Sequence, residues 1–299
     1  MKDVFSNKQI LSWIGYFTDK MDISPERVKI LNVCTKKKNV IPSIETHKWV
    51  MIFADESQKS LCYSIWEAGL GECEVWYGAG TEPGDGINNN KIKDMIDYEI
   101  EGPMVLFVSN QNARDAYKIG MKNENFSRGT VHYVGNEIRA VIMSLLNVDS
   151  QDVICIVNGE SIVIEAAVIA GDGTIIAVES VPSDMATLRE NVEKFGVHNV
   201  EIVSDTGQII RNNLPTPRLA FIVAGPTMEE QIQDFLQMNP SMQIIVWTVE
   251  LDMLSKTRTL FEKYHIKNKD TMQITVSKMN KDSMFVPQPA PWMVVGEPQ

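Results

Sequence analysis

Three short apolar runs, VICIV, TIIAVES and VEIVSD, each lead into residues able to hold a ligand by hydrogen bonds: Asn158-Gly159-Glu160, Glu179 and Asp205. If the runs are neighbouring parallel strands, their carboxyl ends form the crevice in which open α/β sheets bind ligands. A carboxylate at the end of the second strand, Glu179, can accept hydrogen bonds from both vicinal hydroxyls of a ribose. Asp205, ending the third, can accept from an adenine amino group. Acids at strand ends serve equally well as caps of the following helix, so position alone leaves both roles open. Glu179 is expected to be solvated, as an acid facing an open cleft should be.

Other chemistry-bearing residues are scattered. Cys34, Cys62, Cys73 and Cys155 lack C-x-x-C spacing and the four histidines have no ligand pattern, so reduced cysteines and no metal are expected. GAGTEPGDG at 78–86 lacks the G-K-[ST] of a phosphate-cradling loop, and Gly171-Asp172-Gly173 falls where a helix must turn tightly into a strand. Both read as turns.

The elements that must position these residues alternate along the chain. VICIV, TIIAVES, VEIVSD, LAFIVAG, QIIVWTV, MQITVSKM and PWMVVGE read as seven strands, with helices between the first five and again before the sixth. Only KDSMFVPQPA joins the last two, too short for a parallel crossover, so the strand near Trp292–Val295 should run antiparallel. The helix over 183–195 takes Ser183 as its cap, Leu188, Val192 and Phe195 as its buried stripe and Gly196 as its stop. An earlier block, VKILNV, WVMIFAD, ECEVWY and PMVLFVS, reads as a smaller α/β domain of four or five strands, with a helix from Ser57 to Ala68 stopped by Gly69. Between Asn110 and Gly129 the apolar periodicity fades. Residues 1–109 are therefore expected as one domain, 110–129 as a linker and 130–299 as a second domain.

With 299 residues, 44% of them apolar, and 28 Lys+Arg against 39 Asp+Glu, the chain has the composition of a globular protein with a formal net charge of −11. That balance argues against nucleic acid or an anionic membrane as the main partner. No run approaches the roughly 18–20 apolar residues of a membrane helix and the first residues lack a signal-peptide core, so a cytoplasmic protein is expected.

Four stretches carry a family resemblance: NEIRAV before the first strand of the second block, IEAA after its loop, LRENVEKFGVHNV between helix and strand, and the ending PAPWMVVGE. In these the chain resembles the methyltransferase domain of the precorrin-6Y C5,15-methyltransferases (decarboxylating), corrin-ring enzymes of cobalamin biosynthesis. The resemblance implies a Rossmann-like, seven-stranded class I methyltransferase domain and S-adenosylmethionine as cofactor. It places Asn158, Gly159, Glu160, Glu179 and Asp205 around that cofactor, and Arg139 and Gly225 near a tetrapyrrole or corrin substrate. It also implies a homo-oligomer, possibly a tetramer. ISPERVKILNV and WVMIFADESQKSLCYSIWEAGLGECEVWYGAG are similar to the second lobe of the tetrapyrrole-methylase domain of the same enzymes, so the first domain should resemble half of such a domain, without a complete cofactor site. Where the family carries a D-x-G-x-G-x-G loop this chain has CIVNGESIVIEAA, in which Gly159 is the one glycine and Ile156 replaces the acid. Two functions follow: a corrin-ring C-methyltransferase, or a non-catalytic descendant acting as an oligomeric binding or interaction module.

Overall fold

A computed structural model of the chain describes residues 4–84, 86–114, 119–129 and 134–298. The contacts between α-carbons divide it into two compact units, Met1–Tyr117 with Val192–His198, and Lys118–Asn191 with Asn199–Gln299. No helix among the described residues is long and apolar enough to cross a membrane.

In the first unit, strands β1 (Val28–Asn32), β2 (Trp49–Ala54), β3 (Glu74–Ala79), β4 (Asn88–Lys91) and β5 (Met104–Ser109) form one sheet in the order β1-β2-β5-β3-β4. The four expected strands are present. The fifth, β4, is NNNK, an edge strand with almost no buried side chain and hence no apolar signal. One face of the sheet is covered by α1 (Asn7–Met21), whose Trp13 and Phe17 are fully buried; Phe17 stacks on Phe107 of β5 at 5.0 Å. Helices α2 (Val40–Thr46) and α3 (Leu61–Ile65) complete the unit. The helix expected from Ser57 begins later. Asp55 instead caps a short 3-10 turn, accepting from the Ser57 amide at 3.0 Å and its hydroxyl at 2.6 Å, and the helix gives way to a wider turn containing Gly69 at φ +82°.

The second unit starts with α4 (Asn136–Leu146) and then alternates: β6 (Val153–Val157), α5 (Glu160–Ile169), β7 (Thr174–Val178), α6 (Pro182–Lys194), β8 (Val200–Val203), α7 (Gly207–Arg211), β9 (Leu219–Val223), α8 (Met228–Met238), β10 (Gln243–Thr248), α9 (Leu251–Lys263) and β11 (Ile266–Gln273). A hairpin of β12 (Ser277–Met279) and β13 (Phe285–Pro287) precedes β14 (Trp292–Pro298). The sheet runs β11-β14-β10-β9-β6-β7-β8, with β14 antiparallel to β10 and β11 as expected. Its core strands β6, β7, β9 and β10 are almost wholly buried, which is why they read as continuous apolar runs.

Three expectations are corrected. The sixth strand begins at Ile266, directly after α9, not at Met272; its exposed KNKDT stretch is typical of a lysine-protected edge, and Ser277–Met279 joins the hairpin instead. Helix α6 starts at Pro182, a residue preorganised for a first turn, so Ser183 lies inside the helix rather than capping it. Gly196 does stop that helix, at φ +59°. The polar stretch 110–129 is not uniform either: residues 120–127 bond to α4, α5 and α6 of the second unit through Glu165, Arg139 and Asn191.

Gly171-Asp172-Gly173 forms the turn into β7, with the Asp172 amide on the Ser150 carbonyl at 2.9 Å. A β-carbon on Gly173 would collide with the Asp152 backbone, whereas one on Gly171 would meet only the Val168 carbonyl at 3.8 Å. Gly173→Ala should therefore destabilise the protein by about 1–3 kcal/mol in chemical denaturation, and Gly171→Ala by much less. Equal effects would contradict this assignment.

Candidate cofactor and substrate site

The parallel strands of the second unit end level with one another: Val157 pairs with Val178, and Val178 with Val203. Each ladder continues one residue further, the Asn158 amide donating to Val178 and the Glu179 amide to Val203, both at 3.0 Å. The backbones of Asn158 and Glu179 are thus fixed side by side at the carboxyl end of the sheet.

The loop from β6 into α5 divides its tasks between two residues. Asn158 takes the left-handed conformation, φ +55°, which asparagine tolerates better than most residues. Gly159 has φ −123° and needs no such freedom, but a β-carbon there would stand 2.5 Å from Cγ2 of Ile156. Its role is close packing of the helix start on the strand, and its carbonyl receives the Ile162 amide at 2.7 Å.

Beyond the loop three carboxylates converge. Glu160 opens α5, Glu179 follows β7 and Asp184 lies in the first turn of α6; their exposures are 7%, 1% and 1%. The Gly159 amide donates to Glu179 and the Gly129 amide to Glu160. Oε1 of each glutamate is buried with no hydrogen-bond partner among the described residues. A β-carbon on Gly129 would stand 2.8 Å from Oδ1 of Asp184 and closer still to Glu160, so this backbone covers the acids. Burial, reinforced by Asp184, raises the Glu160 carboxyl to about 7; burial, with Glu160 and Asp184 beside it, raises Glu179 to about 8. Glu179 is therefore not the solvated acid expected. Sequence reading missed Asp184 altogether, as an acid in the first turn of a helix is commonplace.

Asp205 lies apart from this cluster and half exposed. Its Oδ1 accepts from Arg211 at 2.8 Å and from the Gln208 amide at 3.0 Å, and its Oδ2 from Ser204 at 3.1 Å. Burial opposes its ionisation, but the bonds from Arg211 and Ser204 hold the carboxyl below its ordinary value. It thus starts α7, and also borders a cleft of about 330 Å³ that includes Asn158, Ser180, Thr227 and Asp234. Gly225, after β9, has no atom within 4 Å of where a β-carbon would stand, so the space beside it is open.

Arg139 faces the other way. It is fully buried in α4, with Nε 2.5 Å from Oε1 of Glu165 in α5. Nη1 reaches Asn123, the Val134 carbonyl and Ser161 at 3.1–3.2 Å, Nη2 donates to the Met121 carbonyl, and the guanidinium lies 4.8 Å from the Phe126 ring centroid. Glu165 also receives the Gly120 and Met121 amides, each at 2.9 Å. Every polar edge of the guanidinium is engaged internally, so Arg139 is not presented to a substrate. A lone Arg in NEIRAVIMSLL and the second Glu of ESIVIEAAVI were the available sequence signal.

Residues 131–284 match the family model described as the precorrin methyltransferase domain. Among solved structures, a precorrin-6Y C5,15-methyltransferase from Geobacter metallireducens is 26% identical with a TM-score of 0.56, covering 62% of this chain and 100% of its own. A precorrin 8w decarboxylase from Methanobacterium thermoautotrophicum shares the fold at 18% identity, TM-score 0.52, over 59% of this chain and 98% of its own. The C-terminal domain of the Rhodobacter capsulatus precorrin-6Y C5,15-methyltransferase does so at 16%, TM-score 0.50, over 61% and 99%. No curated protein matches the chain.

S-adenosylmethionine is the cofactor such domains imply, and the residues present are compatible with it. A Glu179 oxygen with no partner among the described residues suits a pair of ribose hydroxyls, and the cleft at Asp205 suits a purine. The sheet order, the level strand ends and the family match lead to one assignment: the chain belongs to the precorrin methyltransferase domain family.

Proposed function

We propose that the chain is an S-adenosylmethionine-dependent methyltransferase acting on a ring carbon of a corrin-type tetrapyrrole in cobalamin biosynthesis. The observation that carries this reading is Glu179: a carboxylate 1% exposed, fixed at the end of the second parallel strand, with one oxygen lacking a donor among the described residues. Such a group is costly to leave unsatisfied, and two ribose hydroxyls would satisfy it. Asp205 would then face the adenine and Asn158-Gly159 would pass beneath the rest of the cofactor, with Gly129 moving aside on binding.

The bound cofactor supplies an electrophilic methyl group. The chain's task is to hold a nucleophilic ring carbon in line with it, which is a matter of alignment and needs no acid-base triad. In this reading the protein is a cytoplasmic homo-oligomer, and residues 1–109 form a separate α/β domain.

Calorimetric titration with S-adenosylmethionine tests the reading. Saturable binding is expected, accompanied by a rise in melting temperature; at 100 times the dissociation constant the added stability is about 2.7 kcal/mol. A flat isotherm at millimolar cofactor would reject it and favour the second reading, a non-catalytic descendant of the family acting as an oligomeric binding or interaction module.

A further inference from the structure

We propose that the cavity at the carboxyl end of β10 holds a carboxylate-bearing edge of the methyl acceptor, with Trp247 and Lys278 as specificity-determining residues. This rests on the methyltransferase reading. The cavity measures about 390 Å³ and is walled by Ile138, Val249 and Val276, with Trp247, Glu137 and Lys278 also on its lining. That volume suits one edge of a large ring, not a whole macrocycle.

Two features indicate a ligand with both an apolar face and acceptor groups. Trp247 is 7% exposed, yet its indole N–H is buried and has no acceptor among the described residues. Buried tryptophans ordinarily find one, and a ligand carboxylate would provide it. Lys278 is held by Glu137 at 2.8 Å, and this bond keeps the Glu137 carboxyl below its ordinary range. Both side chains are more than 40% exposed, so the pair is weak and opens readily toward a competing carboxylate.

The position also fits. In the sheet β10 is separated from β6 by β9 alone, so Trp247 lies two strand spacings, roughly 10 Å, from the loop at Asn158. A flat conjugated ring anchored at Trp247 would therefore extend across the strand ends toward the loop, with the cleft at Asp205 on the loop's far side.

Coproporphyrin, a flat ring with four carboxylates, and its tetramethyl ester serve as probes, with binding followed by the shift of the porphyrin absorption band. Wild type should bind the acid at least tenfold more tightly than the ester. Trp247→Phe keeps an aromatic side chain and removes the N–H. It should melt with wild type and bind the acid about tenfold more weakly, the loss expected for one hydrogen bond to a charged group. Lys278→Gln, at an exposed side chain that cannot threaten folding, should reduce acid binding three- to tenfold and narrow the acid-to-ester ratio. Equal acid affinity in wild type and both variants would overturn the proposal, as would absence of acid binding by wild type. A lower melting temperature in Trp247→Phe with unchanged probe affinity would also overturn it, by making the residue structural. S-adenosylmethionine titrations of the same three proteins should be indistinguishable; a flat cofactor isotherm alongside variant-sensitive porphyrin binding would reject the methyltransferase reading and leave the cavity assignment standing.

Discussion

Arg139→Met is expected to destabilise the second unit by about 3–5 kcal/mol, the usual consequence of removing one member of a buried ion pair. The substitution leaves the Glu165 carboxylate at 0% side-chain exposure with no cation, and also removes donors from Ser161, Asn123 and the Met121 and Val134 carbonyls. At roughly 2–4 °C per kcal/mol for a unit of this size, the melting temperature should fall by about 6–20 °C. Arg139→Lys should recover little, because an ammonium cannot span the acceptors that the guanidinium fork reaches. Arg139→Met with Glu165→Met should recover part of the loss and no more: the buried charge is gone, but the Gly120 and Met121 amides lose their acceptor. A loss below about 1 kcal/mol for the single variant, measured by chemical denaturation, would show that the pair does not form.

The same pair marks the limit of what sequence reading delivers. NEIRAV and IEAA were legible as landmarks, but the sequence does not say which way a charged side chain turns. Arg139 pointed toward a substrate by analogy and points inward to Glu165 by packing. The fold was more legible because buried parallel strands advertise themselves as apolar runs, as β6, β7, β9 and β10 do. What escaped were elements whose side chains stay wet: NNNK of β4 and KNKDT of β11 pair through the backbone and through polar side chains, as Asn90 does with Tyr77 and Lys269 with Glu297, and period and hydrophobicity carry no record of that. In the site, the position of Glu179 at a strand end followed from strand order, but its burial did not, because the cover comes from Gly129, fifty residues earlier in the chain.

That burial makes the protein's stability and its cofactor affinity respond to pH in opposite directions. In the folded chain Glu160 and Glu179 titrate near 7 and 8, against 4.5 for an ordinary glutamate, so between pH 4.5 and about 8 the folded state holds more protons than the unfolded state. Stability supplied by the protonated pair is complete below pH 4.5 and is lost as pH rises through 7 and 8, on the order of a few kcal/mol in all. His198, depressed by burial in the first unit, works the opposite way near neutrality, so a single substitution is needed to isolate the pair. Glu160→Gln should leave the melting temperature unchanged at pH 5 and raise it at pH 8.5, where the wild-type carboxylate is buried and ionised. Cofactor binding should go the other way. Ribose hydroxyls donate to the ionised Glu179, so binding releases a proton, and S-adenosylmethionine affinity should climb up to tenfold per pH unit between about 6 and 8. Titrations in buffers of different ionisation enthalpy read that proton directly. Glu179→Ala should abolish the pH slope and weaken binding at pH 8.5 by about 1.5–3 kcal/mol, roughly 10- to 150-fold. An affinity that is flat with pH in wild type, or equally steep in Glu179→Ala, would mean that the ribose is held elsewhere and that the three buried acids answer to some other group.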